Sequence, residues 1–196
     1  MHHSIKNQCS LAFLLFLFAV NLSLAQYPES IKKDLEKKYL EDQKLQIWDS
    51  KKEQFKTYRD SMETALKNVC IKNLDKAKSY FKDCGFPGIK ENGAQTALHF
   101  WLIVQHGDHD VDFQNSVLIA MEKQLTTDNV STRNYAYLYD RVQKNKNKPQ
   151  LYGTQIIYDE TGLPKVYNLE NPILVNDRRK NMGLETMELY LKQFQY

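Results

Sequence analysis

Gly93-Ala-Gln-Thr-Ala-Leu-His-Phe-Trp-Leu-Ile-Val-Gln105 is the stretch that decides the fold. Ala97, Leu98, Phe100, Trp101, Leu102, Ile103 and Val104 leave almost no polar face at helical spacing. A helix that is apolar on most sides must be buried by neighbours, so this one is read as the central helix of a helical core. Gly107 ends it. Downstream, Asp110 is placed to cap a helix carrying Phe113, Val117, Ala120 and Met121 on one face. Ser131 is placed to cap another that holds Tyr135, Leu138, Tyr139 and Val142.

Upstream, Ser30 to Asn68 is charged and free of Gly and Pro, with Ile31, Leu35 and Tyr39 recurring every four residues. That period predicts one or two amphipathic helices. Asn73 is read as the cap of a further helix ending at Cys84, where Gly85-Phe86-Pro87-Gly88 supplies stop signals. After Pro149 the period changes. Gln155 to Tyr158 and Lys165 to Tyr167, separated by a turn with Gly162 and Pro164, read as a β-hairpin. Asn176 opens a short helix, Gly183 interrupts it, and Glu185 to Phe194 closes the chain as a helix. The expected fold class is mainly α, a single helical domain with a small C-terminal β-hairpin.

The first 25 residues are read apart from that domain. Lys6 precedes an apolar run from Leu11 to Val20, and Ser23-Leu24-Ala25 puts small residues where a signal peptidase cuts. The expectation is a signal peptide over 1–25, a globular domain over 26–196, and an exported protein, periplasmic or extracellular. A run of ten is too short for a transmembrane helix, which needs ~20 apolar residues. No cysteine stands at the cleavage point, so neither a membrane span nor a lipid anchor is expected.

Charge excludes further classes. The chain carries 27 Lys and Arg against 24 Asp and Glu, dispersed except for Lys144-Asn-Lys-Asn-Lys148. Such balance makes no electrostatic case for nucleic acid. Partners are otherwise unknown. Export permits a disulfide between Cys70 and Cys84. A helix between them separates their Cα atoms well beyond the ~7 Å a disulfide tolerates, which favours two free thiols.

The chemistry gathers in three segments, where polar groups sit in apolar or aromatic surroundings and must be paired or functional. In Leu102 to Asp108, His106 is either a helix-end histidine bonding the last carbonyls or a general acid or base, with Asp108 or Asp140 orienting its ring. In Ala136 to Val142, Asp140 and Arg141 form either a structural ion pair or, through Arg141, a clamp for a carboxylate or phosphate. In Pro149 to Gln155, Gln150 and Gln155 flank Tyr152 and Gly153 and either satisfy buried backbone or recognise a polar ligand. The candidate catalytic residues are therefore His106, Asp108 and Asp140. The candidate ligand-binding residues are Gln105, Arg141, Gln150, Tyr152, Gln155 and Arg178.

Other chemistries lack their motifs. Asp108-x-Asp110-x-Asp112 has the spacing of a calcium loop, but Phe113 stands where glycine is required and Ile119 where the closing glutamate belongs. HExxH, GxSxG, Ser-x-x-Lys and both glycine-rich phosphate fingerprints are missing. No metal and no cofactor is expected.

An ordered set of motifs resembles a known family. The set is Gly85-Phe86-Pro87, Trp101 to Asp108, Phe113-Gln114, Ala136-Tyr137-Leu138-x-Asp140-Arg141-Val142, Pro149-Gln150-x-Tyr152-Gly153-Thr154-Gln155, Pro172, Asp177-Arg178-Arg179 and Gly183-Leu184. It is similar to the bacterial domain of unknown function 6624 family, over roughly Asp42 to Leu191. The chain departs from that pattern in carrying Phe86 for a tryptophan and Gly107 for an alanine, and in lacking an arginine after Asp42-Gln43. The resemblance implies no established activity; it marks the same candidate site. Two function classes follow: an exported small-ligand-binding or acid–base hydrolytic protein, or a non-enzymatic interaction domain in which these residues form a structural network.

Overall fold

A computed structural model of the chain describes residues 26–49, 51–52 and 54–194. The expected signal segment lies outside the described residues. Eight α-helices and one two-stranded sheet are formed among them. α1 spans Glu29–Gln46, α2 Lys56–Cys84, α3 Ile89–Asn92, α4 Ala94–Gln105, α5 Val111–Glu122 and α6 Thr132–Asn145. β1 (Ile156–Tyr158) and β2 (Pro164–Val166) follow, then α7 (Val175–Asn181) and α8 (Met187–Lys192). The mainly helical class with a small hairpin is what the structure shows.

α4 is the hub, touching α1, α2, α3, α5 and α6. Phe100, Ile103 and Val104 are buried, and the Phe100 ring meets Tyr27, Phe81 and Phe86 edge-on or stacked. Trp101 is buried too, and its indole N–H donates to the Asn134 carbonyl 2.9 Å away, tying α4 to α6. Tyr27 pins the start of the described chain: its amide donates to Asn92 and its hydroxyl to the Gly85 carbonyl. The caps form as the sequence implies, with Asp110 accepting from the Phe113 amide and Ser131 from the Asn134 amide.

One boundary is corrected. Asn73 starts no helix; α2 runs unbroken through it for 29 residues. The Asn73 amide instead reaches across to donate to the Lys38 carbonyl on α1. Asparagine is favoured at caps only because its side chain competes for nearby backbone. Here a tertiary acceptor takes that capacity. Cys70 and Cys84 are both free and both on α2, about 21 Å apart along the axis.

The hairpin pairs Ile156 with Val166 and Tyr158 with Pro164 in antiparallel register. Gly107 carries no strain but fits tightly: a β-carbon there would lie 2.6 Å from a Leu74 methyl. The loop between α4 and α5 is thereby pressed against α2, which sets the position of His106 and Asp108.

Candidate functional site

α4 ends at Gln105, and His106 is its C-cap residue. The His106 ring does not bond the last helix carbonyls. Its Nδ1 lies 2.9 Å from both carboxylate oxygens of Asp42 on α1. Asp42 is 1 % exposed, so this carboxylate is committed to its neighbours rather than to water. Gln43 donates to it at 2.9 Å, and the Cys70 thiol approaches at 3.8 Å from α2. A carboxylate only accepts, so the arrangement assigns the ring proton to Nδ1. Nε2 has no hydrogen-bond partner among the described residues. The sequence reading gave Asp108 or Asp140 the orienting role; the structure gives it to Asp42.

Asp108 is spent on a different task. Arg141 on α6 grips it through Nε at 2.8 Å and Nη2 at 2.6 Å. Asn145, one turn further along α6, adds a bond at 2.8 Å, and Gln114 adds one at 3.3 Å. Partial burial works to raise the Asp108 pKa, but the Arg141 bonds and charge, with Asn145 and Gln114, outweigh it and hold the carboxyl below its ordinary value. Gln114, fully buried, also donates to the Val104 and Gln105 carbonyls. It therefore satisfies the Gln105 carbonyl that the end of α4 leaves open, and adds a second bond to the Val104 carbonyl, which already accepts from the Gly107 amide.

His106, Asp108 and Arg141 share one cleft of about 480 Å³. α2 forms the opposite wall with Glu63, Leu66, Lys67 and Cys70; Gln46 at the end of α1 and His109 complete it. That volume lies within the range of small-molecule sites. The Cys70 thiol is pushed up to about 11, first by burial and then by Asp42, so it stands as a protonated donor rather than a thiolate.

Of the remaining predicted residues, Asp140, Gln150, Gln155 and Arg178 gather elsewhere, in a closed network with the backbone around the hairpin. Asp140 is fully buried and accepts from the amides of Leu151, Tyr152 and Thr154 at 2.9–3.2 Å. Burial pushes its carboxyl up against those bonds. Asp140 thus fixes the start of the hairpin segment and makes no contact with His106. Gln150, also fully buried, accepts from the Gln155 amide and donates to the carbonyls of Gln155 and Tyr167. Gln155 donates to the Thr154 hydroxyl. Arg178 donates to the carbonyls of Leu151, Glu170 and Asn171. Tyr152 packs edge-on to Tyr139, and Gln105 is buried on α4. None of Asp140, Gln150, Gln155, Arg178, Tyr152 and Gln105 lines the cleft. Gly153 has a φ of +68°, a conformation glycine enters freely, and it lets the chain wrap around Asp140.

Sequence reasoning missed Asp42, Cys70, Glu63 and Lys67. A signal for Asp42 was present: it stands seven residues after Leu35, on the buried face of α1 that also holds Lys38. A carboxylate on a buried stripe calls for a partner. Cys70, Glu63 and Lys67 carry no comparable signal. His99, on α4 seven residues before His106, is stacked on Tyr39 with ring centres 4.4 Å apart. Among the described residues no group of three or more His, Cys, Asp or Glu is arranged to hold a metal ion, and no helix is long and apolar enough to cross a membrane.

No curated protein and no solved structure matches this chain. α1, which carries Asp42, precedes the segment that a family model does match. That segment is residues 52–195, taking in every element from α2 to α8, and by it the chain belongs to the family of unknown function DUF6624.

Proposed function

We propose that the cleft is an acid–base site of an exported protein that binds and processes a small molecule. The observation that carries this reading is the division of labour on the His106 ring. Nδ1 is held by the buried Asp42 carboxylate, while Nε2 has no partner among the described residues and the ring lines the cleft. In a hydrolytic cycle Nε2 takes a proton from water as the water oxygen bonds to an electrophilic carbon or phosphorus. The same Nε2–H then protonates the leaving group as its bond breaks. Asp42 keeps the tautomer and stabilises the cationic ring formed in between. The role of Asp42 is that of a positioning residue.

The test is a panel of ester, amide and phosphate-ester substrates offered to the protein lacking residues 1–25. An activity that disappears in His106→Gln, with the circular dichroism spectrum unchanged, supports the reading. Activity that survives in His106→Gln, or no turnover of any substrate class, overturns it.

A second reading has its own support. The closed network of Asp140, Gln150, Gln155 and Arg178 favours a structural role for those four residues. In that reading the protein is a non-enzymatic interaction domain, and the polar groups serve to hold its shape.

A further inference from the structure

The charged groups of the cleft differ in how far their bonding capacity is already used, and that difference carries information about the ligand. Asp108 appears at first to make the cleft acidic, but its capacity is used. Oδ1 takes Arg141 Nε, Asn145 and Gln114, and Oδ2 takes Arg141 Nη2. Arg141 Nη1 has no partner among the described residues, nor does Lys67 Nζ on the facing wall. Arg141 is also rigid, since two of its nitrogens are fixed and only the third points free of Asp108. The fork expected from the sequence is therefore already closed on Asp108, and what Arg141 offers a ligand is the preorganised Nη1, with its two N–H groups, beside the second N–H of Nη2. Among the described residues Glu63 is the one unpaired carboxylate on the wall, one turn before Lys67 on α2.

From this the geometry points to a ligand bearing an oxyanion, a carboxylate or phosphate group, seated between Arg141 Nη1 and Lys67 Nζ with its reacting end towards His106 Nε2. An acceptor-rich group matches open donors, and charge-assisted bonds to Arg and Lys are the stronger kind. Glu63 repels the anion from its own end of the wall and so favours one orientation. Saturation of Asp108 by four donors is what allows a second anion to approach. The inference rests on the acid–base reading of His106 for the direction of the ligand, but the anion site stands on Arg141 and Lys67.

The experiment follows the side-chain signals of Arg141 Nε–H and of the His106 ring by nuclear magnetic resonance in the protein lacking residues 1–25. Inorganic phosphate and acetate are titrated separately, with sodium chloride at matched ionic strength as the control. Saturable shifts at both residues are expected with phosphate or acetate, and the tighter of the two names the group as phosphoryl or carboxylate. Lys67→Gln should weaken the binding about tenfold, the loss of one charge-assisted bond. Lys67 is exposed and the substitution leaves the fold intact, so this arm stands even where Arg141→Gln unfolds the Asp108 cluster. Shifts no larger than those with chloride overturn the proposal, as does a Lys67→Gln variant that titrates like the parent. Asp42→Asn separates the two readings. If it leaves the His106 ring signals unchanged, the acid–base reading fails; if anion binding persists there, the anion site survives alone.

Discussion

Asp140→Asn removes one charge, keeps the shape of the side chain, and exposes how the C-terminal third of the fold is held. Oδ1 of Asp140 accepts from the Leu151 amide at 2.9 Å and the Tyr152 amide at 3.1 Å. Oδ2 accepts from the Thr154 amide at 2.9 Å and from Tyr152 at 3.2 Å. An asparagine has one oxygen for these three donors. Whichever way its amide turns, at least one backbone N–H loses its acceptor and the new NH2 faces it donor to donor. Each buried polar group left unsatisfied costs about 1–3 kcal/mol, so two such groups cost about 2–6 kcal/mol. Relief from burying a charge offsets part of this, which is the same burial that pushes the Asp140 carboxyl up. The expected net loss is ~3 kcal/mol, a large part of the ~5–15 kcal/mol that a typical domain has. Urea unfolding followed by circular dichroism measures it, and the amide signals of Leu151, Tyr152 and Thr154 should lose protection from hydrogen exchange first. A midpoint within ~0.5 kcal/mol of the parent would refute the argument, because that is the range of an ordinary surface substitution.

Other expectations can be checked alongside. Gly153→Ala meets only the flexible end of the Met187 side chain, which can swing aside, so its cost comes from the φ of +68° and should be about 1–2 kcal/mol in the same urea assay. Cys70, with its thiol held near 11, should react with a maleimide at pH 8 roughly a hundredfold more slowly than a thiol at its ordinary value of 9.0, and Asp42→Asn should speed it. Asp108 binds its proton less tightly when folded than when unfolded. Its contribution to stability is therefore present above the unfolded value of about 3.9 and is lost as pH falls through the lower folded value. Asp108→Asn should flatten that acid limb of the stability curve, and an unchanged slope would count against the Arg141 pairing.

The elements that could be read from the chain were those defined by neighbours in sequence. The apolar run ending at Gln105 specified the central helix, and Asp110 and Ser131 announced their helices because a cap bonds three residues away. The hairpin followed from a change of period after Pro149 and a Gly–Pro turn. Asn73 misled for the same reason: its local capping preference was visible, and its partner on α1 was not.

Within the candidate site, the sequence by itself picked out His106, Asp108 and Arg141 as polar groups in demanding surroundings, and the structure lines one cleft with all three. It also picked out Asp140, Gln150, Gln155 and Arg178 on equal terms, since a polar side chain among aromatics looks the same whether it serves a ligand or a buried backbone. Only the tertiary structure separated the two groups, by showing which acceptors and donors were already filled. It alone chose the partner of His106. Asp42 lies 64 residues away on a helix whose packing against α4 depends on the whole core, and no local pattern carries a distance of that kind. Secondary structure was legible because its bonds are short in sequence; the pairing of His106 with Asp42 was decided by the fold because its bonds are not.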